Sequence, residues 1–159
     1  MTRSRRITLP AAAAALALAV LAVAVFGTDA AAAQDATNAR SATVRVAHRD
    51  LGKILVDSRG RTLYVLSADS ALKSRCFGAC ARNWPPLRAS GKPTVGTGLK
   101  ASKVRTIRRS DGKPQVTYNR HPLYRFVGDT KPGQTNGQGI VAFGGRWTVV
   151  SPAGRPVSH

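Results

Sequence analysis

Reactive side chains are few in this chain of 159 residues, and that scarcity narrows the chemistry at the outset. Cys76 and Cys80, in a C-x-x-x-C spacing, are its only cysteines. All seven acidic residues are aspartates, and two of them, Asp69 and Asp129, each follow a tyrosine, Tyr64 and Tyr124, by five positions. Two cysteines in an oxidising compartment are most simply a structural disulfide. The alternative is a copper or redox site, which would have to recruit His48 or His121 from elsewhere in the chain. Asp69 and Asp129 read first as turn residues whose carboxylates accept backbone N–H bonds after a strand. As a facing pair they would instead bind a cation or act on a sugar. The absence of Glu leaves few groups for acid–base catalysis or a carboxylate cage. The single Met, Met1, excludes a methionine-rich copper site. No C-x-x-C-H haem motif, four-ligand zinc spacing, G-x-S-x-G or H-E-x-x-H occurs. No catalytic residue, metal or cofactor is therefore assigned.

The N-terminus supplies an address. Arg3, Arg5 and Arg6 precede an unbroken apolar run of 16 residues, Ala11 to Phe26, and the small-residue tract Ala30 to Ala33. This is the pattern of an export signal, residues 1–33, with cleavage between Ala33 and Gln34. An uncleaved anchor is the rival reading, but a helix of that length spans only ~24 Å of a hydrocarbon core ~30 Å thick. Arg5-Arg6 also resembles a twin-arginine signal, with Thr8 where a large apolar residue is usual. After cleavage the chain is expected to be extracytoplasmic and not integral to the membrane. The whole chain carries 25 Lys plus Arg against 7 Asp; beyond residue 33 the figures are 22 and 6, a net charge of +16. Residues 34–42 lack large apolar side chains and read as a disordered spacer.

A repeat organises the remainder. Sliding the chain against itself by 60 aligns residues 44–70 with 104–130 without gaps, and nine of the 27 pairs are identical. They include Arg49/Arg109, Gly52/Gly112, Lys53/Lys113, Val56/Val116, Leu63/Leu123, Tyr64/Tyr124 and Asp69/Asp129. Short apolar runs bounded by turn residues, such as Ile54-Leu55-Val56 and Leu63-Tyr64-Val65-Leu66, predict strands. The expected fold is all-β: a small antiparallel domain of two pseudo-repeats, about 43–100 and 101–155, with a tail at 156–159. A short helix within Ala71 to Arg82, near the cysteines, is the one exception. Trp84, Trp147, Tyr118 and Phe143 read as core anchors. The loop from Gly128 to Gly145, with six glycines, reads as a binding loop or an ordered connector.

Tyr124-Arg125-Phe126-Val127-Gly128-Asp129 fits a Y-x-[FWY]-x-x-D signature fully, and Tyr64 to Asp69 fits it except at Leu66. Trp84-Pro85-Pro86-Leu87, the stretch from Gly128 to Gly139 and Trp147 to Pro152 extend the likeness. On these residues the chain resembles a family of bacterial secreted repeats and predicted lipoproteins named for that signature. The resemblance implies architecture and an extracytoplasmic location, and carries no settled activity. The chain departs from lipoprotein relatives in having no cysteine after the apolar run for lipid attachment.

Tyr64, Asp69, Tyr124, Phe126, Asp129, Trp84 and Trp147 are the candidate binding residues, and Cys76 with Cys80 the candidate disulfide. The functional expectation is a non-enzymatic domain at the cell envelope whose basic surface engages anionic polymers or lipid head groups. Nucleic acid would satisfy the same charge, but export removes it as a partner in vivo. The alternative is copper or redox handling by the cysteine pair, and a hydrolase built on Asp69 and Asp129 is a third reading.

Overall fold

The computed structural model describes residues 43–157, so the predicted signal peptide, the spacer and His159 lie outside the described residues. The fold is all-β. Strands β1 (Val44–Arg49) and β2 (Gly52–Asp57) form an antiparallel hairpin, with Val44 opposite Asp57 and Arg49 opposite Gly52. Strand β3 (Tyr64–Leu66) pairs with β8 (Gly145–Val149), which also carries the short β7 (Val141–Ala142). Strands β4 (Val104–Arg108), β5 (Pro114–Tyr118) and β6 (His121–Pro122) make the third sheet. The helix expected within Ala71 to Arg82 is confined to α1, Ala79–Asn83. The segment before it is instead shaped by Asp69, whose carboxylate accepts the Arg75 N–H at 2.7 Å, and by Leu72 at φ 61°.

Cross-links weld the sheets together. Leu55 N–H donates to Val150 O at 2.7 Å, Leu63 N–H to Leu55 O at 3.0 Å, and Val116 N–H to Leu87 O at 2.8 Å. Residues 54–56 of β2 and the whole of β3 are consequently buried on both faces, which is why these stretches are continuous apolar runs and do not alternate. One face of Ile54, Val56, Tyr64 and Leu66 packs with Trp84, Tyr124, Trp147 and the cysteines; the other, Leu55, Leu63 and Val65, packs with Val44, Leu87, Val116 and Leu123. Burial of each such aliphatic side chain contributes about 1.5–3 kcal/mol.

The two halves are not in perfect step. In the first hairpin Val44 faces Asp57, whereas in the second Val104 faces Tyr118, the equivalent of Ser58. β5 is thus slid by one residue relative to β2, and a one-residue slip turns every side chain to the opposite face. Val56 and Val116, identical partners in the sequence repeat, accordingly lie in different cores. Gln115 and Thr117, which occupy the face that Ile54 and Val56 line in the first half, are fully buried polar residues. The strands return to step at Leu123-Tyr124 through the tight turn Asn119-Arg120, both at positive φ.

Two expectations are corrected by the packing. Phe143 is not a core anchor: it sits at φ 57° in the β7–β8 turn and is 45% exposed. The chain beyond residue 155 is not a free tail through Val157, because Pro156 bridges Val150 and the Val157 N–H donates to Val149 O at 2.9 Å.

Candidate functional site

The two signatures meet at the centre of the molecule, and each completes the other. Tyr64 and Tyr124 form an antiparallel bridge, and their hydroxyls reach different carboxylates. Tyr64 Oη donates to Asp129 Oδ2 at 2.6 Å, while Tyr124 Oη donates to Asp69 Oδ2 at 2.7 Å. The second oxygen of each aspartate closes its own exit loop: Asp69 Oδ1 accepts the Arg75 N–H at 2.7 Å and Asp129 Oδ1 the Asn136 N–H at 2.9 Å. The tyrosine of one repeat therefore fixes the loop of the other. Each carboxylate faces a tyrosine hydroxyl, an arrangement that holds loops in place.

The conserved spacing of Arg49 and Arg109 within the chain follows the same exchange. Arg109, buried in the second half, donates to Ser74 Oγ at 2.8 Å and to Gln115 Oε1 at 2.6 Å, and also to Cys76 O in the loop after Asp69. Its guanidinium covers the Phe77 ring at 4.6 Å. Arg49 of the first half packs at Gly133, in the loop after Asp129.

Aromatic rings fill the space between the two pairs. Trp84 stacks on Trp147 with centroids 3.9 Å apart and on Phe126 at 4.2 Å, while Tyr64 and Tyr124 meet Trp84 and Trp147 edge-on at 5.4 and 5.1 Å. Such offset and edge contacts contribute about 0.5–1.5 kcal/mol each beyond area burial. Trp84 and Trp147 are buried, so they form the inner packing of the site. The Gly128–Gly145 segment closes over them. Gly137 donates its N–H to Tyr64 Oη at 3.2 Å, and a Cβ there would come within 2.7 Å of Trp84. Gln134, Asn136 and Gln138, the amides that suggested a binding loop, bond within the fold to Lys131 N–H, Gly128 O and Val149 N–H respectively.

Burial governs the electrostatics here. It raises the Tyr64 and Tyr124 hydroxyls well above the ordinary phenol range, with the facing carboxylates adding to the shift. It also pushes Asp69 and Asp129 above the usual carboxylate value, opposed at Asp69 by the Arg75 N–H and Tyr124, and at Asp129 by Tyr64 and the Asn136 N–H. Cys76 and Cys80 form a disulfide with Cα atoms 5.2 Å apart, both residues buried. Among the described residues no group of three or more His, Cys, Asp or Glu is placed to hold a metal ion.

A second feature escaped the sequence reading. The turn Asp57 to Arg61, the segment after Trp84 and the central Arg125 enclose a polar cleft of about 550 Å³. Five cations line it: Arg59, Arg61, Arg88, Lys92 and Arg125. The one carboxylate, Asp57, is buried at its wall; its Oδ1 accepts the Arg59 and Arg61 N–H groups at 2.9 and 3.0 Å, and its Oδ2 accepts Arg61 Nε at 3.1 Å. The only sequence signal was the alternation Asp57, Arg59, Arg61, because Arg88 and Arg125 arrive from segments distant in the chain.

No curated protein and no solved structure matches the chain. No helix among the described residues is long and apolar enough to cross a membrane. The sequence model of a family described as a secreted repeat of unknown function matches residues 45–88 and 105–151, the two halves that exchange their tyrosines. With both of its repeats matched, the chain belongs to this family of secreted repeats.

Proposed function

We propose that the protein is an exported, non-enzymatic β domain that associates with the cell envelope by binding its anionic polymers or lipid head groups through a basic surface. One observation carries this reading. The described residues hold 21 Lys plus Arg and five Asp. Asp57 and Asp129 are buried and Asp69 is tied to Tyr124, which leaves Asp50 and Asp111 as the exposed acids, whereas Arg109 alone among the cations is buried. The exterior is thus almost purely cationic, and arginine, which makes up much of it, engages phosphate and carboxylate through two parallel donors.

Such attraction is screened by salt, because the Debye length shrinks from about 10 Å at 0.1 M to about 3 Å at 1 M. The purified exported protein is expected to sediment with envelope fractions at low salt and to be released progressively as salt is added. Absent binding, or binding indifferent to salt, overturns the reading.

A further inference from the structure

We propose that the cleft formed by Arg59, Arg61, Arg88, Lys92 and Arg125 is a dedicated site for a phosphoryl group, presented as a monoester or within a phosphodiester polymer. The inference rests on the envelope-binding reading and names the place and chemistry of one contact within it.

Three observations converge. The cleft, at about 550 Å³, has the dimensions of a small-ligand pocket. Its five cations face a single carboxylate, and Asp57 is already occupied by Arg61 and two backbone N–H groups. Arg125 lies 3.9 Å from Asp57 Oδ2, outside hydrogen-bond range, and its buried Nε has no acceptor. A buried donor without a partner is destabilising, and an oxyanion in the cleft would offer acceptors to the same guanidinium. Burial, together with Arg61, Arg59 and Arg88, also holds the Arg125 guanidinium below its ordinary range, with Asp57 only partly opposing them. The fold has therefore gathered like charges that an anion would relieve.

The shape of the gathering selects the anion. A carboxylate is planar and suits one guanidinium, and Asp57 already serves Arg61, whose Nε and Nη2 both meet its Oδ2 at 3.1 Å. A tetrahedral phosphoryl group offers three or more oxygens in different directions, matching donors that come from the Asp57–Arg61 turn, from the segment at Arg88 and from Arg125. The cleft is also a property of one repeat only. At the offset of 60, Asp57, Arg59, Arg61 and Arg125 correspond to Thr117, Asn119, His121 and Val65. Structural duplication alone does not require it.

The test is calorimetric titration of the exported protein with glycerol 3-phosphate, with poly(glycerol phosphate) and with polygalacturonate at matched ionic strength. Arg59→Gln/Arg88→Gln removes two cations whose side chains make no hydrogen bond among the described residues, and Arg105→Gln/Arg108→Gln removes two exposed cations of β4. Binding of glycerol 3-phosphate is expected to weaken at least tenfold in the first double variant and less than twofold in the second. Polymer that binds no better than the monomer per chain end identifies a monoester end group, and polymer that binds as tightly or more tightly per phosphate identifies the diester; either supports the site. No binding of either phosphate probe, equal losses in the two variants, or equally tight binding of polygalacturonate at the cleft overturns it. Equal losses with salt-sensitive envelope binding retained would leave the general charge reading standing, so the two failures are distinguishable.

Discussion

Tyr64 and Tyr124 exchange backbone hydrogen bonds, N–H to carbonyl at 2.9 Å in one direction and 3.0 Å in the other. The two halves of the chain thus join at the first residue of each signature, and the hydroxyls then diverge to the aspartate of the opposite half. Sequence repetition of a tyrosine and an aspartate is here a device for interlocking two copies: the aspartate that closes each exit loop is also held by the tyrosine of the other half.

Interlocking predicts a specific pattern of energetic coupling. Tyr64→Phe keeps the ring against Trp84 but leaves Asp129 Oδ2 and the Gly137 N–H without their partner, an expected loss of about 1–3 kcal/mol. In a double-mutant cycle measured by urea unfolding, Tyr64→Phe and Asp129→Ala are expected to couple by about 0.5–3 kcal/mol. Tyr64→Phe and Asp69→Ala, the pair within one signature, are expected to be additive within about 0.5 kcal/mol. Stronger coupling within a signature than across the two contradicts the exchanged arrangement.

How much of this was legible depends on whether a residue's role is local. Ile54-Leu55-Val56 and Leu63 to Leu66 were readable as strands because burial on both faces demands apolar side chains at every position. The tyrosine–aspartate spacing marked the centre, but the choice between a bond within a repeat and one across repeats is tertiary and leaves no trace in spacing. The slide of β5 was hidden by a coincidence: Val116 suits either core, so the ungapped alignment with Val56 looked sound. Gln115 was the available signal, since a polar residue in the place of Leu55 breaks the apolar run. Phe143 has the hydrophobicity of a core residue, but the turn geometry that holds it outward is not legible in residue type. The cleft draws on arginines up to 66 positions apart, Arg59 to Arg125, and only folding assembles it.

The disulfide makes a prediction that also bears on the copper or redox alternative. Cys76 and Cys80 close a very short loop, for which chain entropy gives about 2 kcal/mol. Cys76→Ala/Cys80→Ala is therefore expected to lower the unfolding free energy by about that amount while the fold persists, held by Arg109 at Cys76 O. Mass spectrometry of the native protein is expected to find no thiol label, and two labels per chain after unfolding with reductant. Labelling of the native protein without reductant, accompanied by copper uptake, would instead favour metal handling.

Acid titration tests the burial of the central carboxylates. Asp129 is raised from 3.8, chiefly by burial, so the folded protein binds that proton more tightly than the unfolded chain does. The sign follows directly: its contribution to stability is fully present below the unfolded value and is lost as pH rises through the higher folded one. Asp129→Asn retains an acceptor for the Tyr64 hydroxyl but cannot ionise. The unfolding free energy of the unaltered protein minus that of the variant, measured from about pH 3 to about pH 7, is expected to decrease as pH rises and then level off. Asp69→Asn is expected to show the same sign, because burial raises Asp69 as well. A difference that grows with pH would mean that these carboxylates are stabilised as anions, and that Tyr64 and Tyr124 outweigh the cost of burying them.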